Sequence, residues 1–425
     1  MQVIKYPLRT EWEKILARPV FDTSSLNRVV SDVLSDVKDR GDKAVIEYEE
    51  KFDKVKLASL QVSEEEIKES ESLVSADLKD AIRIAKRNIE IFHSSQLFES
   101  KKIETISGVT CWQKAVAIEK VGLYIPGGTA PLFSTVLMLA IPAKIAGCKE
   151  IILCSPPNKE GKIHPAILFA AKESGVNKIF KIGGIQAIGA MAYGTESVTK
   201  VYKIFGPGNQ YVMAAKQLVS LRDVAIDMPA GPSEVEIIAD DTANPSFVAA
   251  DLLSQAEHGA DSQVMLTTTS EELIDKVLEE IERQVIELPR CEIAEKALQN
   301  SKLILLKDEQ EIVDITNQYA PEHLIIETSN YIDIAEKVIN AGSVFLGHYT
   351  PESAGDYASG TNHTLPTNGY ATAYSGVNLD SFIKKITFQE ITKQGIKNLG
   401  SAIEIMAENE ELFAHKNAVT LRLEE

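Results

Sequence analysis

The sequence predicts an α/β protein in which two related units each carry a parallel-rich sheet, with small N-terminal and C-terminal helical segments added. Three observations predict it. Short, continuous apolar runs alternate with helical periods from about residue 130, and a second series of the same kind starts near 234. Strands that read apolar throughout, rather than on alternate residues, are covered on both faces, as in parallel sheets wrapped by helices. The third is size: 425 residues, 44% hydrophobic and 25% charged, suit about two to four domains at roughly 100–200 residues each.

The first hundred residues read mainly as helix. Leu26, Val29, Val30, Val33, Leu34 and Val37 recur at helical spacing, and Asp39-Arg40-Gly41 supplies a stop. Ser63 and Glu66 form a capping box ahead of Ile67, and Leu78, Ala81, Ile82, Ala85 and Ile89 mark a longer amphipathic helix. A strand-rich passage follows, through 115–118 and 121–125. The strands of the first series are then 151–154, 179–182 and 201–204, with helices near 131–147, 165–174, 185–194 and 208–220. Those of the second are 235–239, 264–267, 303–306, 323–326 and 343–346. Two such series suggest an old duplication, although no residue-level repeat shows it. Residues 347–378, rich in Gly, Ser, Thr, Tyr and Asn, have no apolar period. A structureless loop of that length is expected to be functional or disordered, and Tyr349, Tyr357, Tyr370 and Tyr374 favour function. The last 45 residues or so read as a small helical unit, including 396–408 and a stretch around Leu412.

Charge narrows the function classes. Lys and Arg number 44 against 62 Asp and Glu, a formal net charge of -18. A nucleic-acid binder needs a basic face to displace counterions, so no nucleic-acid partner is expected, and an anionic membrane is disfavoured for the same reason. The same field repels an anionic cofactor, so any nucleotide must be held locally, by helix N-termini and glycine-rich backbone. Met1 to Tyr6 has no apolar core of a secretory signal, and no run approaches the roughly 18–20 apolar residues of a membrane span. Cys111, Cys148, Cys154 and Cys291 make no C-x-x-C pair and no disulfide framework. A cytoplasmic protein is expected.

Glycine-rich turns end three of the strands: Pro126-Gly127-Gly128-Thr129, Gly183-Gly184-Ile185-Gln186 and Gly206-Pro207-Gly208-Asn209. Parallel sheets bind ligands at such ends, but none of the three is G-x-G-x-x-G or a Walker loop, and each alone is an ordinary tight turn. Only seven histidines occur. Gln255 and His258 lie one turn apart near a helix end, so both can reach one point, and neutral imidazole suits zinc; a histidine that merely favours the helix dipole is the plainer account of the isolated pair. Glu322-His323 opens a strand. Adjacent strand residues face opposite ways, so both reach one substrate only if the backbone turns there; they could then divide acid–base work. Asp356 could give an oxygen ligand or merely form a turn, and His415 sits on a polar terminal stretch. Cys154, at a strand end, could be a nucleophile, but a small buried cysteine is the plainer reading.

In order, these segments resemble the histidinol dehydrogenase family. The resemblance rests on 121–128, 205–209, Ala230-Gly231-Pro232-Ser233-Glu234, Ser254 to Gly259, Ala320 to Leu324, Gly355-Asp356-Tyr357 and His415 to Val419, and spans roughly residues 20 to 425. It implies two incomplete Rossmann-like units: a first α/β domain over 21–125 plus 234–377, a second over 126–233, an N-terminal arm over 1–20, and a C-terminal dimerisation domain over 378–425. It implies L-histidinol as substrate, oxidised to L-histidine with two NAD through a bound aldehyde. Gln255, His258, Asp356 and His415 match the ligands of one zinc ion per subunit, His415 being supplied by the partner of a homodimer. Glu322 and His323 match the catalytic pair, Tyr124, Gln186 and Asn209 the cofactor positions. Ser233, Gln255, His258, His323, Asp356, Glu410 and His415 match substrate contacts. Ile185 and Ala260 are suspected departures beside these positions.

Overall fold

The apolar runs become strands whose neighbours are all parallel in two sheets. The structure is a computed structural model that describes residues 1–19, 23–127, 130–229 and 231–425, so Gly128, Thr129 and Ala230 of the quoted motifs, and the expected arm boundary at 20/21, lie outside the described residues. The five-stranded sheet runs, edge to edge, Lys178–Lys181, Glu150–Ser155, Lys120–Tyr124, Lys203–Phe205 and Ala225–Ile226. The six-stranded sheet runs Gln2–Lys5, Lys302–Leu305, Gln263–Thr268, Glu234–Ala239, His323–Glu327 and Ser343–Leu346. In each, the first strand of the series lies inside, the next two extend to one side and the following two to the other. That shared order is what a pair of related units predicts.

Both sheets are buried on both faces, which is why their strands read as unbroken apolar runs. Over one face of the five-stranded sheet, Val30, Val33, Leu34 and Val37 pack with Ile188, Met191 and Ile204; over the other, Ile82, Ala85 and Ile89 pack with Val121, Leu123 and Leu137. The six-stranded sheet sandwiches Val235, Ile237, Val264 and Leu303 on one side and Ile238, Met265, Ile304 and Leu324 on the other. Lys120–Tyr124 pairs with Glu150–Ser155, and the helices of 23–94 pack on that same sheet, with Asn88 also donating to the Ala358 carbonyl at 2.8 Å.

Several elements differ from the sequence reading, among them three that burial could not announce. Gln2–Lys5 is a strand paired with Lys302–Leu305, too short to show a period. The C-terminal unit opens with a strand, Ile383–Ile391, antiparallel to Val109–Ala117, before the helices Lys393–Asn409 and Phe413–Leu423. It lies almost wholly exposed, so no apolar alternation marks it. The segment 347–378 holds a helix, Glu352–Tyr357, only six residues long. Among the described residues no helix is long and apolar enough to cross a membrane.

One turn sets how closely the two central strands of the smaller sheet can end together. Gly206 has φ +123°, and a Cβ there would lie 2.1 Å from the Tyr124 carbonyl oxygen. Gly206→Ala is therefore expected to lower stability by more than about 1 kcal/mol, read from the denaturant midpoint, because neither the backbone angle nor the space admits a side chain.

Candidate active site

The carboxyl ends of the five-stranded sheet face the amino ends of the strands of the six-stranded sheet across a cleft of about 190 Å³. Gly206, Pro207, Gly208 and Lys216 line it from one side, and Ser233, His258, Glu322, His323, Asp356 and His363 from the other.

Glu322 and His323 share this cleft because the chain does turn before the strand. Ala320 takes a left-handed conformation at φ 52° as the preceding helix ends, and Glu322 lies in a bend, with the strand starting at His323. Both side chains are buried. Glu234, which opens the neighbouring strand, organises them through its backbone. Its N–H donates to Glu322 Oε2 at 2.9 Å, and its carbonyl accepts from Gln255 Nε2 at 3.1 Å and lies 3.2 Å from His323 Nδ1. Its own carboxylate is held by both Arg18 nitrogens, Nε and one terminal nitrogen, at 2.7 and 2.8 Å, and by the Asn368 N–H at 2.5 Å. With Nε2 committed, the Gln255 amide turns its Oε1 away, buried and with no hydrogen-bond partner among the described residues.

A carboxylate cluster surrounds the imidazole. His323 Nε2 lies 3.6 Å from Asp356 Oδ1, and Nδ1 lies 3.7 Å from Glu322 and 4.0 Å from Glu352. Glu352 and Asp356 stand one turn apart on the short helix, so their side chains share a face. One ligand atom from each of His258, Glu352 and Asp356 lies within 4.8 Å of the others. Burial opposes charge on His323, yet Glu352, Glu322 and Asp356 together raise its pKa to about 10. Burial raises Glu322 and Glu352 to about 8. Burial also acts to raise Asp356, but the neighbouring His323 outweighs it and holds that carboxyl below its usual range. An imidazole and two carboxylates within reach of one point, with the unpartnered amide oxygen of buried Gln255 nearby in sequence, fit a divalent cation of the borderline kind that takes nitrogen and oxygen.

The expected cofactor positions Tyr124, Gln186 and Asn209 are not among the residues lining the cleft. Tyr124 is buried with its hydroxyl accepting from the Gly184 N–H at 3.1 Å, and Gln186 is buried with Nε2 donating to Glu49 at 2.7 Å. Asn209 is exposed and caps the next helix, accepting from Tyr211 and Val212 N–H. Buried Lys216 pairs with Asp227 at 2.5 Å and donates to the Gly206 carbonyl at 2.7 Å, which fixes the glycine turn. Glu410 and His415 are exposed on the C-terminal helical unit and are not among the residues lining the cleft of their own chain.

A family model described as histidinol dehydrogenase matches residues 16–423. The chain belongs to the histidinol dehydrogenase family. It is 71% identical to the histidinol dehydrogenase of Bacteroides thetaiotaomicron over 423 residues, covering 100% of this chain and 99% of that one. It is 54% identical to that of Escherichia coli over 413 residues, covering 96% and 94%. The crystal structure of histidinol dehydrogenase from Elizabethkingia anophelis superposes with a TM-score of 0.98 at 57% identity, covering 100% of this chain and 98% of that one. Membership makes the chain an oxidoreductase of histidine biosynthesis.

Three residues that the sequence does not single out belong to the site: His363 lines the cleft, Glu352 stands by His323, and the Glu234 backbone meets Glu322, Gln255 and His323. Glu234 appeared only inside a motif, and nothing in sequence marks a backbone hub. Glu352 lies in the segment without an apolar period, and its spacing of four from Asp356 is the available signal. His363, whose Nε2 lies 3.4 Å from Thr135 Oγ1, also lines the cleft. Cys154 is fully buried, and burial pushes its thiol far above the ordinary range, so the plainer reading holds. Cys154→Ala is expected to keep full activity in a steady-state assay.

Behind the cluster, burial raises Asp251 to about 7, and burial with the Asp251 charge raises Glu327 to about 8. A carboxyl whose pKa rises on folding binds its proton more firmly when folded. Its stabilisation is full below the ordinary carboxylate range and is lost as pH rises through the folded value. Thermal unfolding of chelator-treated protein from pH 5 to 9 should show a falling midpoint, and Glu327→Gln should make that fall shallower.

Proposed function

We propose that this chain converts L-histidinol to L-histidine in two NAD-linked oxidations through a bound aldehyde, with one zinc ion per subunit, in a cytoplasmic homodimer. The observation that carries this reading is the convergence of His258 and Asp356 with Glu322 and His323 on one cleft, beside a buried Gln255 whose amide oxygen has no partner among the described residues. Gln255, His258 and Asp356 would hold zinc together with His415 of the partner subunit. Zinc, when bound, supplies a Lewis acid that orients the amine and imidazole of the substrate. NAD would supply the hydride acceptor, held at Tyr124, Gln186 and Asn209, the positions that the family resemblance assigns to it.

The chain's own groups do the proton chemistry. His323 takes the hydroxyl proton of the alcohol as the carbon–hydrogen bond breaks, leaving the aldehyde. Glu322 takes a proton from water as its oxygen adds to the aldehyde carbon, and His323 returns a proton to the former carbonyl oxygen. The hydrated aldehyde then loses a proton to His323 in the second oxidation. Ser233, buried walls and the turn at Gly206 keep the aldehyde enclosed between the steps. In the proposed dimer, Glu410 and His415 of each chain complete the cleft of the other; their exposure on the C-terminal helices supports this. The division of the chain into domains, we further propose, follows the two sheets.

Activity should appear as two NADH formed per histidine when L-histidinol is added to metal-loaded protein. His323→Asn should slow the first oxidation by about 10²-fold or more, while Glu322→Gln should spare alcohol oxidation and slow acid formation from aldehyde. Full alcohol-to-acid turnover by both variants would remove the assignment. Zinc uptake by stripped protein should release protons, seen by calorimetry in buffers of differing ionisation enthalpy, because a cation on the carboxylates loosens the proton on His323.

A further inference from the structure

The cleft takes up the amino ends of the six-stranded sheet and leaves its carboxyl ends without a role. Open parallel sheets seat ligands beyond their carboxyl ends, where the strand order reverses. In this sheet the reversal lies between Glu234–Ala239, whose successor Gln263–Thr268 stands on one side, and His323–Glu327, which stands on the other. Glu327 ends its strand opposite Ala239. Two further elements border that place: the helix Pro245–Ala256, which follows the first of these strands, and the loop after Ser343–Leu346. Phe247 of the helix and Tyr349 of the loop have ring centres 6.4 Å apart, so the two meet at this end.

Polar groups gather there without satisfying one another. Glu327 is 2% exposed, and neither of its carboxylate oxygens receives a hydrogen bond from any described residue. Asp251, from the middle of the helix, stands close enough to Glu327 for the two to share a proton. His348 Nδ1, two residues beyond the strand Ser343–Leu346, lies 4.0 Å from Glu327 Oε2 and has no hydrogen-bond partner either. The neighbouring Thr328 hydroxyl is buried and equally unpartnered. Among the described residues no lysine or arginine pairs with Asp251 or Glu327. Two buried carboxyl groups without a counter-cation are costly to ionise. A separation of 4.0 Å is too long for a hydrogen bond, yet it suits two ligands each about 2.1 Å from a shared ion.

We propose that Asp251, Glu327 and His348 form a second divalent-cation site, for an ion that takes carboxylate oxygen and imidazole nitrogen, apart from the cluster of His258 and Asp356. The ion replaces the proton that the two carboxyl groups otherwise share. Its role is to brace the elements that carry the cleft residues. Asp251 shares a helix with Gln255, Glu327 shares a strand with His323, and His348 starts the connection to the short helix that bears Asp356. No step of the proposed reaction passes through this ion.

Equilibrium dialysis of the chelator-stripped, full-length protein against buffered low free Zn2+, followed by metal analysis, tests this without turnover. The wild-type chain should take up two ions, and Glu327→Gln, Asp251→Asn and His258→Ala one each. The thermal midpoint of His258→Ala should rise by about 3 °C or more on adding Zn2+, and adding Glu327→Gln to it should abolish that rise. His348→Ala, at the partly exposed member, should also take up one ion and decides the matter if neither carboxyl variant folds. A single ion in the wild type, lost in His258→Ala and kept in Glu327→Gln, overturns the second site and leaves the zinc reading intact. A single ion kept in His258→Ala and lost in Glu327→Gln upholds the second site and overturns the zinc reading. Two ions that persist in Glu327→Gln, Asp251→Asn and His348→Ala overturn the assignment to these residues.

Discussion

The ion pair between Arg18 and Glu234 anchors the candidate site. Arg18 meets Glu234 through two of its nitrogens, donates to the Tyr319 carbonyl at 2.6 Å and lies 4.0 Å over the Tyr319 ring. A bidentate, buried pair of this kind fixes orientation as well as charge. Because the carboxylate is immobilised, the backbone of Glu234 is too, and that backbone is what aims Glu322, Gln255 and His323. A residue that touches no reacting atom thus sets the direction of three that line or flank the cleft. Leaving Glu234 buried without Arg18 would strand a charge, which costs far more than the pair contributes while intact.

The two sheets share one strand order and yet use opposite ends. The five-stranded sheet offers its carboxyl ends, with glycine turns at Gly183 and Gly206, as open α/β sheets ordinarily do. The six-stranded sheet offers its amino ends, where His323 begins a strand and Ser233 precedes one. The glycine-rich turns therefore mark one half of the cleft and say nothing of the other. The candidate acid–base residues, Glu322 and His323, carry no such mark and stand out only by their chemistry.

Much of the fold was legible because both sheets are double-faced: Ile151 to Cys154 and Val235 to Ala239 read as strands from apolar content alone. What escaped was short or exposed. Gln2–Lys5 has too few residues for a period, Ile383–Ile391 has no buried face, and Glu352–Tyr357 is too brief to repeat. At the site, Glu322, His323, His258 and Asp356 were visible as residue types that do chemistry. Their convergence was not, since it depends on a left-handed Ala320 and on contacts between strands far apart in sequence. Gln186 illustrates the limit from the other side: its position was expected near cofactor, but only the fold reveals that its amide nitrogen is committed to buried Glu49.

The meeting of two sheets at one cleft also bears on traffic. In the proposed reaction, groups that would grip the small molecule belong to the larger sheet and its loops, whereas those that would receive the dinucleotide belong to the smaller. On that proposal, spent coenzyme would leave by its own wall and be replaced while the half-oxidised compound stayed tethered to the opposite one. Two successive redox events would then need only a single docking of the organic reactant, and a labile carbonyl species would not be set adrift.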